Sequence, residues 1–420
     1  MGPKMLYPNL LTDRLLRSWA RCRRKAWLDF YGDKKQRLWT AHRNLQIDAQ
    51  QRSFVALMPR KPGKGLSACQ KGEIGVLGIR LKGEGPNKCS LQAHPPILQK
   101  IPGQSRWGQH AYRPVMARHG RKLTQEIRLA LALSGQLLEP FQKAPVRDGL
   151  VVALNDEKLQ LERVPLTSGL NSQLHEALGK LANDLERTNP PPITINRRKC
   201  TLCCWRGVCS TEAKSEGLLS EISGIGVHRQ KILKKLGINN LLDLASANPF
   251  DLAKKLKTYD PNYGDITNNL IKQAIVQRDG LAERITKSPA LPELTSTTNV
   301  LLYDIESDPD AGEDFLHGFL SLNRKSPNTW ELKSARYHPI LVLSEHGESI
   351  CWKRLKCIID CDPNRKILHY GETEVTSLCR LAKRQGVSEE ELAKFRERFI
   401  DLHLRIRTNW RLPLNNYGLK

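Results

Sequence analysis

Three cysteines lie within ten residues of this chain, and a fourth lies far upstream in a basic, aromatic segment. Cys200, Cys203 and Cys209 follow the spacing C-x2-C-x5-C, and Cys22 precedes them by most of a domain. Thiolates packed this closely indicate a bound metal centre, because their negative charge has to be neutralised. A ligand so far upstream predicts a centre that ties the beginning of a domain to its end.

The spacing leaves more than one identity open for that centre. Zinc and iron–sulfur clusters both accept four thiolates. Structural zinc usually binds two close pairs of cysteines, whereas here one ligand is distant and the others follow C-x2-C-x5-C. The spacing therefore favours an iron–sulfur cluster, with zinc or a simple cysteine-rich loop as alternatives. Cys204, next to Cys203, is interpreted as a bystander, and either metal is expected to be structural.

Charge is the second constraint. The chain has 420 residues, a formal net charge of +24 and a pI of about 9.7. Residues 1–60 alone contain 13 Lys and Arg against 4 Asp and Glu. A basic excess of this size attracts polyanions, so it predicts nucleic-acid binding, with a solvated basic surface as the alternative.

The compartment follows from cysteine usage and hydropathy. No apolar run approaches the roughly 20 residues that span a bilayer, and the N-terminus lacks a signal-peptide pattern. Eleven cysteines without a secretory signal indicate a reducing compartment and metal ligation, not disulfides. We therefore expect a cytoplasmic protein with no membrane partner.

The chain is predicted to be a multi-domain α/β protein with four segments. These are a domain over residues 1–212, a helical region over 213–286, a linker over 287–298, and an α/β domain over 299–420.

Periodicity predicts the elements within these segments. In the first domain, a helix over Leu11 to Tyr31 precedes a strand-like stretch over 72–114, and further helices cover 124–141 and 169–187. In the last domain, the box Ser388-Glu389-Glu390-Glu391 predicts a helix that runs past Asp401.

A helix–hairpin–helix is predicted in the helical region. Ser223-Gly224-Ile225-Gly226 joins a short helix to a second one that contains Arg229, Lys231 and Lys235. The glycines let a phosphate approach closely, and the N–H groups of the second helix can bind its oxygens. A simple connection between helices, or a protein–protein module, is the alternative.

A strand that ends in D-x-E begins the last domain. Alternation along Leu302-Tyr303-Asp304-Ile305-Glu306 places the carboxylates of Asp304 and Glu306 on the same face, where they can share metal ions. The pattern is common on surface strands, so by itself it is weak.

The cysteine segments resemble a known family. Cys22-Arg23-Arg24-Lys25-Ala26-Trp27-Leu28, followed far downstream by C-x2-C-x5-C, is similar to the RecB-type PD-(D/E)XK nucleases with an iron–sulfur staple. These include CRISPR-associated RecB-like exonucleases and AddB-type helicase–nucleases. The layout of nearly the whole chain resembles bacterial RecB-like nucleases with an RNase H-like exonuclease domain at the C-terminus.

This resemblance implies a cofactor and partners. It places a [4Fe-4S] cluster on Cys22, Cys200, Cys203 and Cys209. It also implies DNA processing or repair, with single-stranded or end-bearing DNA as the substrate. RNA is the alternative, and a helicase is a candidate partner.

The nuclease core lacks the acids that the resemblance requires. The first acid is expected near Pro96 or Ile97, and the acid-x-Lys near Val115-Met116-Ala117-Arg118. The only acids from residue 61 to 130 are Glu73, Glu84 and Glu126, and none has a lysine two residues later. We expect this domain to have lost hydrolytic activity and to bind DNA through a set of basic residues, namely Arg113, Arg118, Arg121 and Lys122.

The last domain resembles DEDD-type 3′–5′ exonucleases of the RNase H-like fold. Asp304 and Glu306 match the first motif, Glu374 the acid of the second, and Asp401 that of the third. The resemblance implies two Mg²⁺ or Mn²⁺ ions, with Asp304, Glu306 and Asp401 as ligands. No acid follows Asp401, where a fourth is expected, so the sequence predicts a domain that is incomplete at its C-terminus. A non-catalytic DNA-binding scaffold is the alternative function.

Overall fold

The computed structural model describes residues 10–38, 41–58, 60–118, 122–155, 158–308, 313–327, 329–342, 347–415 and 417–418. The chain is a mixed α/β protein that divides into two compact units, Met1–Glu212 and Ala213–Lys420. The predicted segments 213–286, 287–298 and 299–420 all lie within the second unit. Among the described helices, none combines the length and the apolar character that crossing a membrane requires.

The first unit contains helices and strands in alternation. Its helices are α1 (Asp13–Arg21), α2 (Arg23–Tyr31), α3 (Ala41–Leu57), α4 (Gly65–Lys71), α5 (Gln125–Gln142) and α6 (Ser168–Leu185), and the boundary between the units falls within α7 (Arg206–Ser215). Its strands are β1 (Leu10–Thr12), β2 (Gly63–Lys64), β3 (Gly75–Leu77), β4 (Leu81–Glu84), β5 (Ser90–Ala93), β6 (Ile97–Ser105), β7 (Gly108–Ala117), β8 (Asp148–Asn155) and β9 (Lys158–Pro165).

A six-stranded sheet organises this unit. Its strand order is β2-β3-β6-β7-β8-β9, and a small second sheet has the order β1-β5-β4. β6 pairs with β7 antiparallel, and β7 pairs with β8 parallel after the crossover helix α5. The centre of α5 is buried all round, with Ala130, Leu131, Ala132 and Leu133 at 0% exposure. Such a helix is a core element, which explains its continuous apolar sequence.

The predicted helix over Leu11 to Tyr31 is wrong at its centre. Cys22 has extended dihedral angles, φ −162° and ψ 123°, and it separates α1 from α2. The predicted helices over 124–141 and 169–187 are confirmed within two residues by α5 and α6. The strand-like stretch over 72–114 contains β3 to β6 and most of β7.

The second unit begins with four α-helices. These are α8 (Val227–Lys235), α9 (Leu241–Ala245), α10 (Pro249–Lys257) and α11 (Pro261–Asp279). Their apolar side chains enclose one core, which includes Leu219, Ile232, Leu252 and Ile271. The region is therefore helical, as predicted.

The rest of the second unit is organised around a five-stranded sheet. Its strands are β11 (Asn299–Asp308), β12 (Glu313–Ser326), β13 (Thr329–Leu341), β14 (Lys366–His369) and β15 (Phe399–Asp401), and β10 (Glu283–Arg284) pairs separately with β16 (Trp410–Arg411). The order is β13-β12-β11-β14-β15, antiparallel from β11 outward on one side and parallel on the other. Its helices are α12 (Gly347–Asp360), α13 (Glu372–Arg384), α14 (Glu389–Arg396) and α15 (Leu402–Asn409).

The predicted capping box is confirmed, but the predicted helix length is wrong. Ser388 and Glu391 cap each other's backbone N–H groups at the start of α14. The helix ends at Arg396, and Phe399–Asp401 is a strand. Since β15 pairs in parallel with β14, the sheet overrides the helical signal of the glutamates.

Candidate functional site

The four predicted cysteines line one cavity of the first unit. Cys22 enters it between α1 and α2, while Cys200, Cys203 and Cys209 enter from the segment that leads into α7. The space in and around this pocket amounts to ≈ 430 Å³ and includes open solvent. Cys204 is not among its lining residues.

The walls of this cavity are cationic. Its basic lining residues are Arg21, Arg24, Lys25, Arg197, Lys199 and Arg206. Arg197 Nη1 lies 3.7 Å from Cys200 Sγ and donates to it. Burial raises the pKa of the Cys209 thiol, while the charge and hydrogen bond of Arg24 oppose this shift. Positive side chains around thiols favour the thiolate, which is the form that binds metal.

Cys203 and Cys204 are coupled through a hydrogen bond. The hydrogen bond from the Cys203 thiol lowers the pKa of Cys204, and the Lys25 ammonium acts in the same direction. The same bond raises the pKa of Cys203. A backbone hydrogen bond also holds Cys204 in place, because the N–H of Leu38 donates to the Cys204 carbonyl over 2.8 Å.

One carboxylate joins the two cysteine segments. Asp29 Oδ1, on α2, accepts from Trp205 Nε1 over 2.8 Å, and Asp29 Oδ2 accepts from Ser18 and Lys25 over 2.6 and 2.5 Å. Trp205 is fully buried. Burial raises the pKa of Asp29, but the Lys25 charge and these hydrogen bonds outweigh it and hold the pKa below its usual value.

Two further ion pairs fix the N-terminal helices. Arg24, 3% exposed, donates to Glu212 and to the carbonyl of Pro191. Asp184, 1% exposed on α6, accepts from Arg23 Nε over 2.6 Å and from the indole of Trp19 over 2.8 Å. Sequence analysis missed these pairs, because carboxylates so distant in sequence leave no local signal.

The positions where the resemblance expects nuclease acids form an apolar cluster. Ile97 on β6 lies directly opposite Val115 on β7. Both are buried, at 2% and 0% exposure, and they pack with Leu150 and Val152 of β8 and with Met58, just after α3. This face of the sheet is therefore a hydrophobic core.

The predicted DNA-gripping residues of this unit have different surroundings. Arg113 is buried and forms hydrogen bonds with Asp148 over 3.0 Å and with Gln99. Arg118, 8% exposed, donates to Gln160 over 2.9 Å. Lys122 is exposed, and Arg121 lies outside the described residues. The role of these side chains toward DNA stays a prediction.

The glycine turn precedes a helix N-terminus that no described side chain caps. Gly224 has φ +89°, and a Cβ there would lie 3.2 Å from Leu270. Gly226 is the N-cap of α8 in extended conformation, with open space where a Cβ would be. Both glycines are exposed. The first N–H groups of α8 thus face a turn that solvent can reach. The small size of glycine keeps this approach open.

The cations of the hairpin divide into two kinds. Arg229 donates to the Gly224 carbonyl over 2.6 Å and stacks on the Tyr263 ring at 5.1 Å, so it supports the turn. Lys231 and Lys235 are exposed on α8.

Three of the predicted acids lie at the same end of the last sheet. β11, β14 and β15 are parallel, so Asp304 and Glu306, the turn after β14, and Asp401 lie at the carboxyl ends of adjacent strands. Tyr303 and Ile305 are buried against α12 and α13, so Asp304 and Glu306 point to the opposite face, as alternation predicts.

The other two acids have different positions. Glu374, 8% exposed, lies in the first turn of α13, and its charge contributes, after burial, to the raised pKa of Tyr303. Asp401 Oδ1 accepts from the N–H groups of Gly371 over 3.0 Å and Leu404 over 3.2 Å. Asp401 therefore caps α15 as well as ending β15. Over the described ranges, no three His, Cys, Asp or Glu side chains are grouped so that they could hold one metal ion.

Comparison with known proteins adds no family to these observations. No protein-family model matches the chain, and no curated protein matches it significantly.

Proposed function

We propose that this chain is a DNA-binding protein of the RecB-like nuclease group. Its first unit holds a [4Fe-4S] cluster and binds DNA without cutting it, and the acidic end of the sheet in its second unit is a metal-dependent phosphodiesterase site. The observation that carries the proposal is the cavity that Cys22 shares with Cys200, Cys203 and Cys209.

The donor set of this cavity matches an iron–sulfur cluster in the type and number of its donors, although over the described ranges no three of these cysteines are grouped to hold a single metal ion. Four cysteines supply the ligands, and the basic lining residues offset the negative charge that thiolates bring. When bound, the cluster supplies cross-links between the α1–α2 junction and the cysteine segment. Zinc is the alternative, since it also accepts four thiolates. Iron, acid-labile sulfide and zinc contents of anaerobically purified protein distinguish the two.

A first unit without hydrolysis is supported by the Ile97–Val115 pair. Phosphodiester hydrolysis of this type needs carboxylates that hold a metal ion. Ile97 and Val115, two paired and buried aliphatic side chains, lie in the two stretches where the resemblance expects them.

DNA binding is supported by the glycine turn before α8. Helix N–H groups bind phosphate oxygens, and an exposed turn with glycine at Gly224 and Gly226 lets the backbone approach. Lys231 and Lys235 add long-range attraction. Contacts of this kind give affinity without sequence specificity.

A catalytic second unit is supported by its sheet. Its parallel strands β11, β14 and β15 bring Asp304, Glu306 and Asp401 to the same end of the sheet. Asp304, Glu306 and Asp401 would hold Mg²⁺ or Mn²⁺, which supply an activated water and stabilise the leaving oxygen. Glu374 is the fourth acid of the proposed site.

A non-catalytic DNA-binding scaffold is the second candidate. It is favoured by the position of Asp401, whose Oδ1 already accepts two backbone N–H groups. Asp304 and Glu306 also point to the face of β11 opposite the one that α13 covers.

A cleavage assay separates the two candidates. End-labelled single-stranded DNA and RNA are each incubated with Mn²⁺ and one of three proteins: the parent, the Asp304→Asn variant or the Asp360→Asn variant. Asp360 is exposed on α12, so its variant serves as the control. Cleavage that only Asp304→Asn abolishes supports the catalytic site. Binding without cleavage by any protein supports the scaffold. Cleavage that survives Asp304→Asn contradicts the proposed catalytic site.

A further inference from the structure

A row of arginines follows one face of α1. Arg14, Arg17 and Arg21 are spaced by three and four residues, which places them side by side on the helix. Arg43, in the first turn of α3, interacts electrostatically with this row. Partial desolvation lowers the pKa of Arg43, and the charges of Arg17, Arg14 and Arg21 lower it further. The row on α1 is therefore fixed by helix spacing, and Arg43 is near enough to each of its members to be repelled by it.

The neighbouring cations are paired with acids, and these four are not. The paired cations are Arg23 with Asp184, Arg24 with Glu212, and Lys25 and Arg37 with Asp29. Within the described ranges, Arg14, Arg17, Arg21 and Arg43 form no salt bridge with any carboxylate. Arg43 donates to an amide oxygen, that of Gln46, over 3.3 Å.

The acid closest in sequence does not neutralise the row. Asp13 begins α1 and interacts with the charge of Arg17, but it is 9% exposed and accepts from the backbone N–H of His94 over 3.3 Å. Burial raises its pKa, which disfavours the charged form. Like charges gathered on one surface without carboxylates attract an anion from outside, which offsets the repulsion that water and salt do not screen.

We propose that Arg14, Arg17, Arg21 and Arg43 form a binding site for the phosphate backbone of DNA on the first unit. The inference rests on the proposed function and adds a site separate from the glycine turn. Arg14 and Arg43 are exposed, and Arg17 and Arg21 half-buried, so phosphates can reach them. Four guanidinium groups on two helices match a row of adjacent phosphates better than one isolated phosphate.

The cysteine cavity lies beside this arginine row. Arg21 lines the cavity, and Arg43 interacts with the charge of Cys204. Cys22, at the end of α1, is a proposed ligand of the cluster. The cluster would therefore hold α1 in place and so position the phosphate-binding arginines.

The test measures DNA affinity of the full chain as a function of salt. Arg14→Gln/Arg17→Gln is compared with Lys158→Gln/Lys180→Gln, which removes the same charge from exposed positions of the same unit. We expect Arg14→Gln/Arg17→Gln to bind labelled DNA on the order of ten-fold more weakly at low salt, and the log–log salt slope to become shallower by about 1.4 to 1.8. The control should behave like the parent.

Further arms decide the other outcomes. Arg14→Lys/Arg17→Lys keeps the charge and should retain most of the binding, even if the glutamine variant folds poorly. Equal binding by the glutamine variant and the parent, with weaker binding by a Gly226→Asp variant, overturns the arginine site and leaves the proposed function intact. If inorganic phosphate displaces DNA when its concentration equals that of the DNA phosphates, the assignment of the site to DNA is overturned. A parent that does not bind DNA overturns both proposals.

Discussion

The indole Nε1 of Trp205 donates to Asp29 Oδ1 over 2.8 Å and so joins α2 to the cysteine segment, 176 residues later in the chain. Asp29 also accepts from Ser18 and Lys25. This carboxylate therefore fixes the wall of the cavity through side chains that are not themselves ligands.

Asp29→Asn should destabilise the first unit at neutral pH by about 2 to 4 kcal/mol, because it leaves Lys25 without its charge partner. The folded-state pKa of Asp29 is below its usual value, so its stabilisation is present above about pH 4 and is lost as the pH falls through the folded pKa. Urea unfolding at pH 7 and pH 3 should show a difference between variant and parent that shrinks in acid. Asp48→Asn, at an exposed position of α3, should show little effect at either pH.

Cys203→Ser should lose most of the bound metal, whereas Cys204→Ser should keep it. Cys203 lines the cavity and Cys204 does not, although the pKa of Cys204 is the lowered one. Iron, sulfide and zinc analysis of both variants measures this directly. If only the Cys204→Ser variant lost metal, Cys204 would be the ligand and Cys203 would not.

Gly226→Asp should affect stability and DNA binding in opposite directions. Aspartate is a good N-cap, and the space beside Gly226 is open, so α8 should be stabilised by a few tenths of a kcal/mol. Its charge should repel phosphate and weaken DNA binding about ten-fold or more. Gly226→Asn provides the same cap without the charge. Thermal unfolding and fluorescence anisotropy measure the two effects, and equal DNA binding by both variants would count against the turn as a phosphate site.

Tyr417→Phe should destabilise the second unit by about 1 to 2 kcal/mol. The buried Tyr417 hydroxyl donates to Gln273 Oε1 over 3.0 Å and accepts from the N–H of Leu412 over 2.9 Å. The phenyl ring would keep the packing and leave these partners unsatisfied. Thermal unfolding of this variant beside Tyr259→Phe, whose ring is half-exposed, isolates the hydroxyl contribution.

Local patterns predicted the features that depend on nearby residues. Cysteine spacing predicted the shared cavity, because a dense set of thiols needs one centre. Alternation predicted that Asp304 and Glu306 share a face, because a strand has a period of two. The glycine turn before α8 was predicted from residue types that permit a left-handed backbone.

Features that depend on distant partners were not predictable in this way. The apolar and basic pattern through Cys22 continues without a break, although the backbone becomes extended there. Residues around Asp401 follow a glutamate-rich helix, yet pairing with β14 makes them a strand. The partner of Trp205 is set by packing between segments, which no short window of sequence records.

The pairing of Ile97 with Val115 also limits how this chain can evolve. Acids introduced at both positions would be two carboxylates inside an apolar cluster, and each would cost several kcal/mol unless a metal or a cation arrived with it. The side chains of Phe54, Leu57 and Met58 also pack on this cluster, so a substrate could not reach the new acids. Two such mutations would therefore destabilise the sheet before they created a metal site, and a metal site there would require that these covering side chains first be displaced.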